Sequence, residues 1–118
     1  MHRALEPGLL ESVYQACLVH ELQRAGVPFV QNVPLPVEYD GVLIKLGFRL
    51  DVVVDNCLVL EIKSVKKLSD IHDAQLLTYL KLSGFPAGLL MNFNATLMKK
   101  GIKRLINAAP AERLVPQG

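Results

Sequence analysis

The sequence predicts an α/β domain, a mixed central β-sheet flanked by helices with elements in the order αβββαβ. Three observations carry that reading. Apolar residues recur at helical spacing between Leu10 and Leu22 and again between Leu76 and Leu80. Short apolar runs bounded by turn residues lie between them, notably 48–54 and 58–63. One more apolar run, 88–93, follows the second helical stretch. A strand reached through a helix crossover usually lies parallel to a neighbour, hence a mixed sheet.

The elements follow in order. A helix is expected over 8–25, with Pro7 suited to its first turn, Leu10, Val13, Tyr14, Cys17, Leu18 and Leu22 as its apolar stripe, and Gly26 as its stop. Pro28, Pro34 and Pro36 make the next stretch extended. Val37-Glu38-Tyr39 and Val42-Leu43-Ile44 flank Asp40-Gly41, a pair that fits a type I′ hairpin turn. The runs 48–54 and 58–63 form a second hairpin. A helix over roughly 71–82 enters through Ser69 or Asp70 and ends at Gly84 and Pro86. Residues 88–93 read as a buried strand, and 97–108 fit either a strand or a short helical segment. The result is one domain over 1–108 with a C-terminal tail, 109–118.

A chain of 118 residues, 51% hydrophobic, holds a single core and is no disordered segment. A net charge of +2 does not announce a nucleic-acid binder. Basic residues cluster locally, however: Lys63, Lys66 and Lys67 in one group, Lys99, Lys100, Lys103 and Arg104 in another. No apolar run is long enough to span a bilayer, and the first residues lack the pattern of a signal peptide. Cys17 and Cys57 are expected to be free thiols in a reducing compartment, which points to the cytoplasm. Neither has a Cys or His at zinc-ligand spacing.

The segment Asp51-Val-Val-Val-Asp-Asn-Cys-Leu-Val-Leu-Glu61-Ile-Lys63 holds most of the chemical information. Burying an unpaired charge on a strand costs several kcal/mol or more, so ionisable groups there call for a reason. A two-residue loop at Asp55-Asn56 would pair Asp51 with Leu60 and separate the acids. A three-residue loop, 55–57, pairs Asp51 with Glu61. It also places Val53 and Val59 on the carboxylate face and Leu50, Val52, Val54, Leu58, Leu60 and Ile62 on the other. The second set is uniformly apolar, so burial favours the register that brings the acids together.

In that register Asp51, Glu61 and the backbone carbonyl of Ile62 offer hard oxygen donors suited to Mg²⁺ or Mn²⁺. Lys63, two residues on along the same face, is placed to stabilise developing negative charge or to position a nucleophile. The plainer alternative is an exposed cross-strand ion pair of little energetic value. Glu11, one turn into the first helix, becomes a third carboxylate at the metal if that helix packs beside the hairpin. Its plainer role is a favourable interaction with the helix dipole. His72, Gln75 and Tyr79 share one helix face, and Gln75 with Tyr79 would support the site. Arg49 is read as structural or as a rim phosphate contact, alongside Lys66 and Lys67. Asn92 and Asn94 are read as turn-satisfying groups.

Gly8-Leu-Leu-Glu11-Ser-Val-Tyr14 resembles the motif that names the GxxExxY proteins, which are placed in the PD-(D/E)xK nuclease superfamily. The resemblance extends over roughly residues 2–107 and includes Phe48-Arg-Leu-Asp51, Leu60-Glu61-Ile-Lys63-Ser, Gln75-Leu-Leu-Thr-Tyr79-Leu and Gly88-Leu-Leu-Met-Asn92-Phe93. It implies a restriction-endonuclease-like core. Asp51, Glu61 and Lys63 match the superfamily pattern, Glu11 matches its first-helix acid, and Gln75 with Tyr79 matches the Gln-x-x-x-Tyr element of some exonuclease branches. Two departures stand out. Family members usually carry a further helix before the position of His2, and Glu6 stands where a glycine is common.

The function expected is a Mg²⁺- or Mn²⁺-dependent nuclease acting on DNA or, secondarily, RNA, with no membrane association. The rivals are a catalytically silent nucleic-acid-binding module of the same fold and a homo-oligomeric assembly module.

Overall fold

The computed structural model describes residues 7–45, 47–94 and 101–107. Glu6, the tail 109–118 and part of the 97–108 segment lie outside them. Among the described residues two helices, α1 (Pro7–Arg24) and α2 (Asp70–Ser83), accompany seven strands: β1 (Phe29–Pro34), β2 (Val37–Tyr39), β3 (Val42–Ile44), β4 (Arg49–Val54), β5 (Leu58–Lys63), β6 (Ala87–Asn92) and β7 (Ile102–Ile106). Five strands form one mixed sheet in the order β1-β4-β5-β6-β7. β5 and β6 run parallel, joined by the α2 crossover, as expected of a strand that follows a helix.

The sheet differs from the expected strand list in two ways. The proline-punctuated stretch after Pro28 is a full edge strand, β1, paired antiparallel with β4. The Asp40-Gly41 hairpin forms its own two-stranded sheet, β2-β3. The cause lies in the flanking prolines. The β1–β4 ribbon continues as far as the Leu35 N–H to Phe48 carbonyl bond (2.9 Å). Beyond it, Pro36 lacks an N–H to continue the ladder and Gly47 sits at φ 78° on the return. The hairpin tip is therefore bent away. Asp40 and Gly41 have φ of 54° and 74°, the type I′ pattern. Of the ambiguous segment, Ile102–Ile106 is a strand, antiparallel to β6.

The decisive register is the one that hydrophobic burial favours. Val54 pairs with Leu58, Val53 with Val59 and Val52 with Leu60 across a three-residue loop, 55–57. Asp55 and Asn56 both occupy the left-handed region, and the Cys57 N–H closes the turn on the Val54 carbonyl at 3.0 Å. Val52, Leu60 and Ile62 pack under α1 against Val19, with Tyr14, Leu18 and Leu22 at their margin. Val53, Val59 and Leu90 pack under α2 against Leu76, Tyr79 and Leu80. Leu50 corrects the expected face pattern, because it joins the α2-side cluster and not the α1 side. The β4–β5 pairing stops at Val52–Leu60, so Leu50 lies beyond the regular alternation.

Helix α1 is turned relative to the expected stripe. Val13 is 50% exposed and Cys17 is exposed, whereas Gln15 and Val19 are buried. The polar bonds made by Gln15, described below, hold that orientation. Helix α2 starts after Ser69 and stops at Gly84, whose φ of 80° lets its N–H reach the Leu80 carbonyl. No described helix is long and apolar enough to cross a membrane.

Candidate active site

The site forms where the β4–β5 ladder gives way to side chains. The Asp51 N–H donates to Glu61 Oε1 at 3.1 Å, and the Ile62 N–H donates to Asp51 Oδ2 at 2.8 Å. The two carboxyls thus take the places of main-chain acceptors and lie against each other at the end of the paired region. Glu61 is only 4% exposed.

Burial makes this pair electrostatically expensive. Desolvation, followed by the neighbouring Asp51 charge, pushes Glu61 up to about 8. The Asp51 N–H bond and the Lys63 charge oppose that rise, and Glu11 adds to it. Asp51 is also raised, by desolvation, against the Ile62 N–H, the charges of Lys63 and Arg49, and a hydrogen bond with the Glu61 carboxyl. Two acids held together in a low-dielectric setting resist double ionisation unless positive charge is supplied.

Lys63 lies two residues beyond Glu61 on β5. Its Nζ donates to Gln75 Oε1 at 2.7 Å, and Gln75 Nε2 donates to Tyr79 Oη at 3.2 Å. Helix α2 thus presents Gln75 and Tyr79, four residues apart, as a brace for the ammonium group. The Tyr79 hydroxyl is raised by burial and by the Glu61 charge. His72, on the same helix, is not part of this row. Its Nδ1 accepts the Ser69 N–H at 3.0 Å, so it caps the helix start.

Glu11 reaches the same end of the sheet from α1. Its Oε2 accepts the Ser64 N–H at 3.1 Å, just past Lys63. Among the described residues no group of three or more His, Cys, Asp or Glu side chains is placed to hold a metal ion. The acids gathered at one point are Asp51 and Glu61, with Glu11 at their border. The donor chemistry nonetheless suits a hard divalent cation, because two desolvated carboxylates need a compensating charge and Mg²⁺ takes most of its ligands from water and phosphate.

Asn92 fastens the turn behind the site, as expected for a turn-satisfying group. Its Oδ1 accepts the Val65 and Asn94 N–H groups at 3.0 and 3.2 Å, and its Nδ2 donates to the Val65 carbonyl at 2.8 Å. Arg49 is exposed at the start of β4, within electrostatic reach of Asp51. Lys66 and Lys67 are exposed in the bend after β5. Lys103 of the second basic cluster pairs with Asp73.

Two polar groups escaped the sequence reading. Gln15, buried in α1, sets its Nε2 within 3.1–3.2 Å of Gln31 Oε1, Asn32 Oδ1 and the Asp51 carbonyl. Asn32 lies within β1 at φ 55°. The signal available was the polar Gln31-Asn32 pair interrupting an otherwise apolar strand.

A family model described as the PD-(D/E)XK nuclease superfamily matches residues 1–105. No curated protein and no solved structure matches the chain. The family match spans most of the sequence, so the chain belongs to the PD-(D/E)XK nuclease superfamily.

Proposed function

We propose that this member of the PD-(D/E)XK superfamily is a divalent-metal-dependent phosphodiesterase that cleaves DNA, with Mg²⁺ or Mn²⁺ as its ion. The observation that carries the reading is the pairing of buried Glu61 with half-buried Asp51, which meets the braced Lys63 at one end of the sheet. Asp51, Glu61 and the Ile62 carbonyl would hold the ion, with Glu11 contributing from α1. The chemistry such an ion supplies is Lewis-acid activation of water and of the phosphoryl oxygens.

The protein's own groups do the rest. Lys63 is held by Gln75 so that its charge faces the carboxylate end of the site, where it stabilises negative charge developing on the phosphoryl oxygens. Gln75 is fixed in turn by Tyr79, so the ammonium keeps its place without relying on substrate. Arg49, Lys66 and Lys67 supply exposed positive charge for the nucleic-acid backbone.

The test is a panel of labelled single- and double-stranded DNA and RNA incubated with Mg²⁺, Mn²⁺ or EDTA. Metal-dependent product from the wild type, lost in Asp51→Asn and Lys63→Ala, supports the proposal. Product that persists in both folded variants refutes it. Salt-sensitive binding indifferent to EDTA, with no product at high protein concentration, would favour a silent binding module instead.

A further inference from the structure

Beside Asp51, on the α1 side of β1 and β4, lies a recess of about 330 Å³ whose wall includes Ser12, Gln15, Gln31, Asn32 and Arg49. Resting on the nuclease reading above, we propose that this recess binds a phosphate of the substrate strand next to the scissile one, setting which bond reaches the catalytic groups.

Three observations converge. The first is the polarity of the wall. Gln15 Nε2 is directed at the amide oxygens of both Gln31 and Asn32, so the groups it leaves unengaged on those two side chains are their amide nitrogens. With Arg49 also lining the recess, the rim offers donors and a positive charge, the complement of an acceptor-only anionic phosphate. The second is the backbone of Asn32. A non-glycine residue at φ 55° inside a paired strand is sparsely populated, and here it turns the Asn32 side chain toward Gln15. The third is continuity with the acid pair. The same Gln15 nitrogen that organises the two amides also holds the Asp51 carbonyl at 3.1 Å. One buried side chain therefore spans the recess and the strand that carries Asp51.

The experiment measures binding of a short fluorescein-labelled single-stranded DNA to the full chain by anisotropy, with Ca²⁺ replacing Mg²⁺. Each phosphate in turn is replaced by an uncharged methylphosphonate, with the terminal phosphate present or removed. Wild type should show one internal position whose neutralisation weakens binding roughly tenfold, the scale of a lost charge-assisted bond. That penalty should vanish in Arg49→Gln and in Asn32→Asp, which keeps the Oδ1 acceptor for Gln15 but replaces the outward donor with an acceptor. The Arg49→Gln salt slope should fall by about 0.7, one single-strand contact. A penalty that tracks only the terminal phosphate, or that persists unchanged in both variants, overturns the proposal. Cleavage with Mg²⁺ is followed in parallel. Cleavage without position-specific coupling rejects the recess alone, whereas coupling without cleavage keeps the recess and rejects the nuclease reading.

Discussion

Replacing Glu61 with glutamine isolates the electrostatic strain at the centre of the site. In metal-free protein the Glu61 carboxyl is raised from 4.5 to about 8, through burial first and the Asp51 charge second. A folded-state pKa above the unfolded one means that the folded form binds the proton more tightly. The associated stability is therefore complete below about 4.5 and is lost as pH rises through about 8. At ~1.36 kcal/mol per pH unit the displacement sets a ceiling of about 5 kcal/mol across that window. The raised Asp51 acts in the same direction, as the two acids titrate as a coupled pair. Glutamine keeps an oxygen for the Asp51 N–H and cannot ionise. Urea denaturation in EDTA from pH 5 to 9 should show wild-type stability falling through the window while Glu61→Gln stays nearly flat and becomes the more stable protein at the alkaline end. Wild-type stability that is level or rises over this range, or a variant that falls in parallel, refutes the account of the pair.

Other outcomes follow from the same geometry. Binding of Mg²⁺ should release close to one proton at pH 7, because the ion takes the place of the proton on Glu61, so affinity measured by calorimetry should rise roughly tenfold from pH 6 to 7 and about fivefold from pH 7 to 8. Lys63→Ala should lower the cleavage rate by roughly 10²–10³-fold with little change in thermal midpoint, and Gln75→Leu should lower it less, since it removes the brace but keeps the charge. Gly88→Ala should destabilise by roughly 1–3 kcal/mol in urea, because its Cβ would stand 3.0 Å from Leu76 Cδ1 and 3.2 Å from the Val59 carbonyl. Asn107→Ala should cost roughly 1–3 kcal/mol, as the buried Nδ2 serves the Leu80 and Phe85 carbonyls that close α2.

The carboxylate pair was legible in the chain because hydrophobic alternation is regular over Val52–Val54 and Leu58–Ile62, although it fails at Leu50. Moving the register by one residue would have carried Val52, Leu60 and Ile62 to the other face, and these residues are now buried against α1. Helix α2 was legible for a similar reason, through a cap, a left-handed glycine and a stripe that agree with one another. What escaped the reading is non-local. Nothing in α1 alone states that Gln15 is buried and Val13 exposed, because the choice depends on acceptors supplied by β1 and β4. The separation of β2-β3 from the main sheet depends likewise on where the prolines interrupt pairing with β4.

The acids at Asp51 and Glu61 hold structure and chemistry at the same atoms, and this governs how the site can be dissected. Where the β4–β5 ladder ends, Asp51 Oδ2 accepts the Ile62 N–H and Glu61 Oε1 accepts the Asp51 N–H. Alanine at position 51 would leave the Ile62 amide without its acceptor, a loss of roughly 1–3 kcal/mol if the group stays buried. Inactivity of Asp51→Ala would then have two causes that an activity assay cannot separate. Asparagine oriented with Oδ1 toward Ile62 retains that bond and removes the negative charge, so Asp51→Asn should be at least as stable as wild type in urea while losing metal-dependent turnover. If Asp51→Asn instead retained turnover while Asp51→Ala lost it along with its stability, Asp51 would be a backbone substitute only, and the divalent-ion role assigned to the pair would fall.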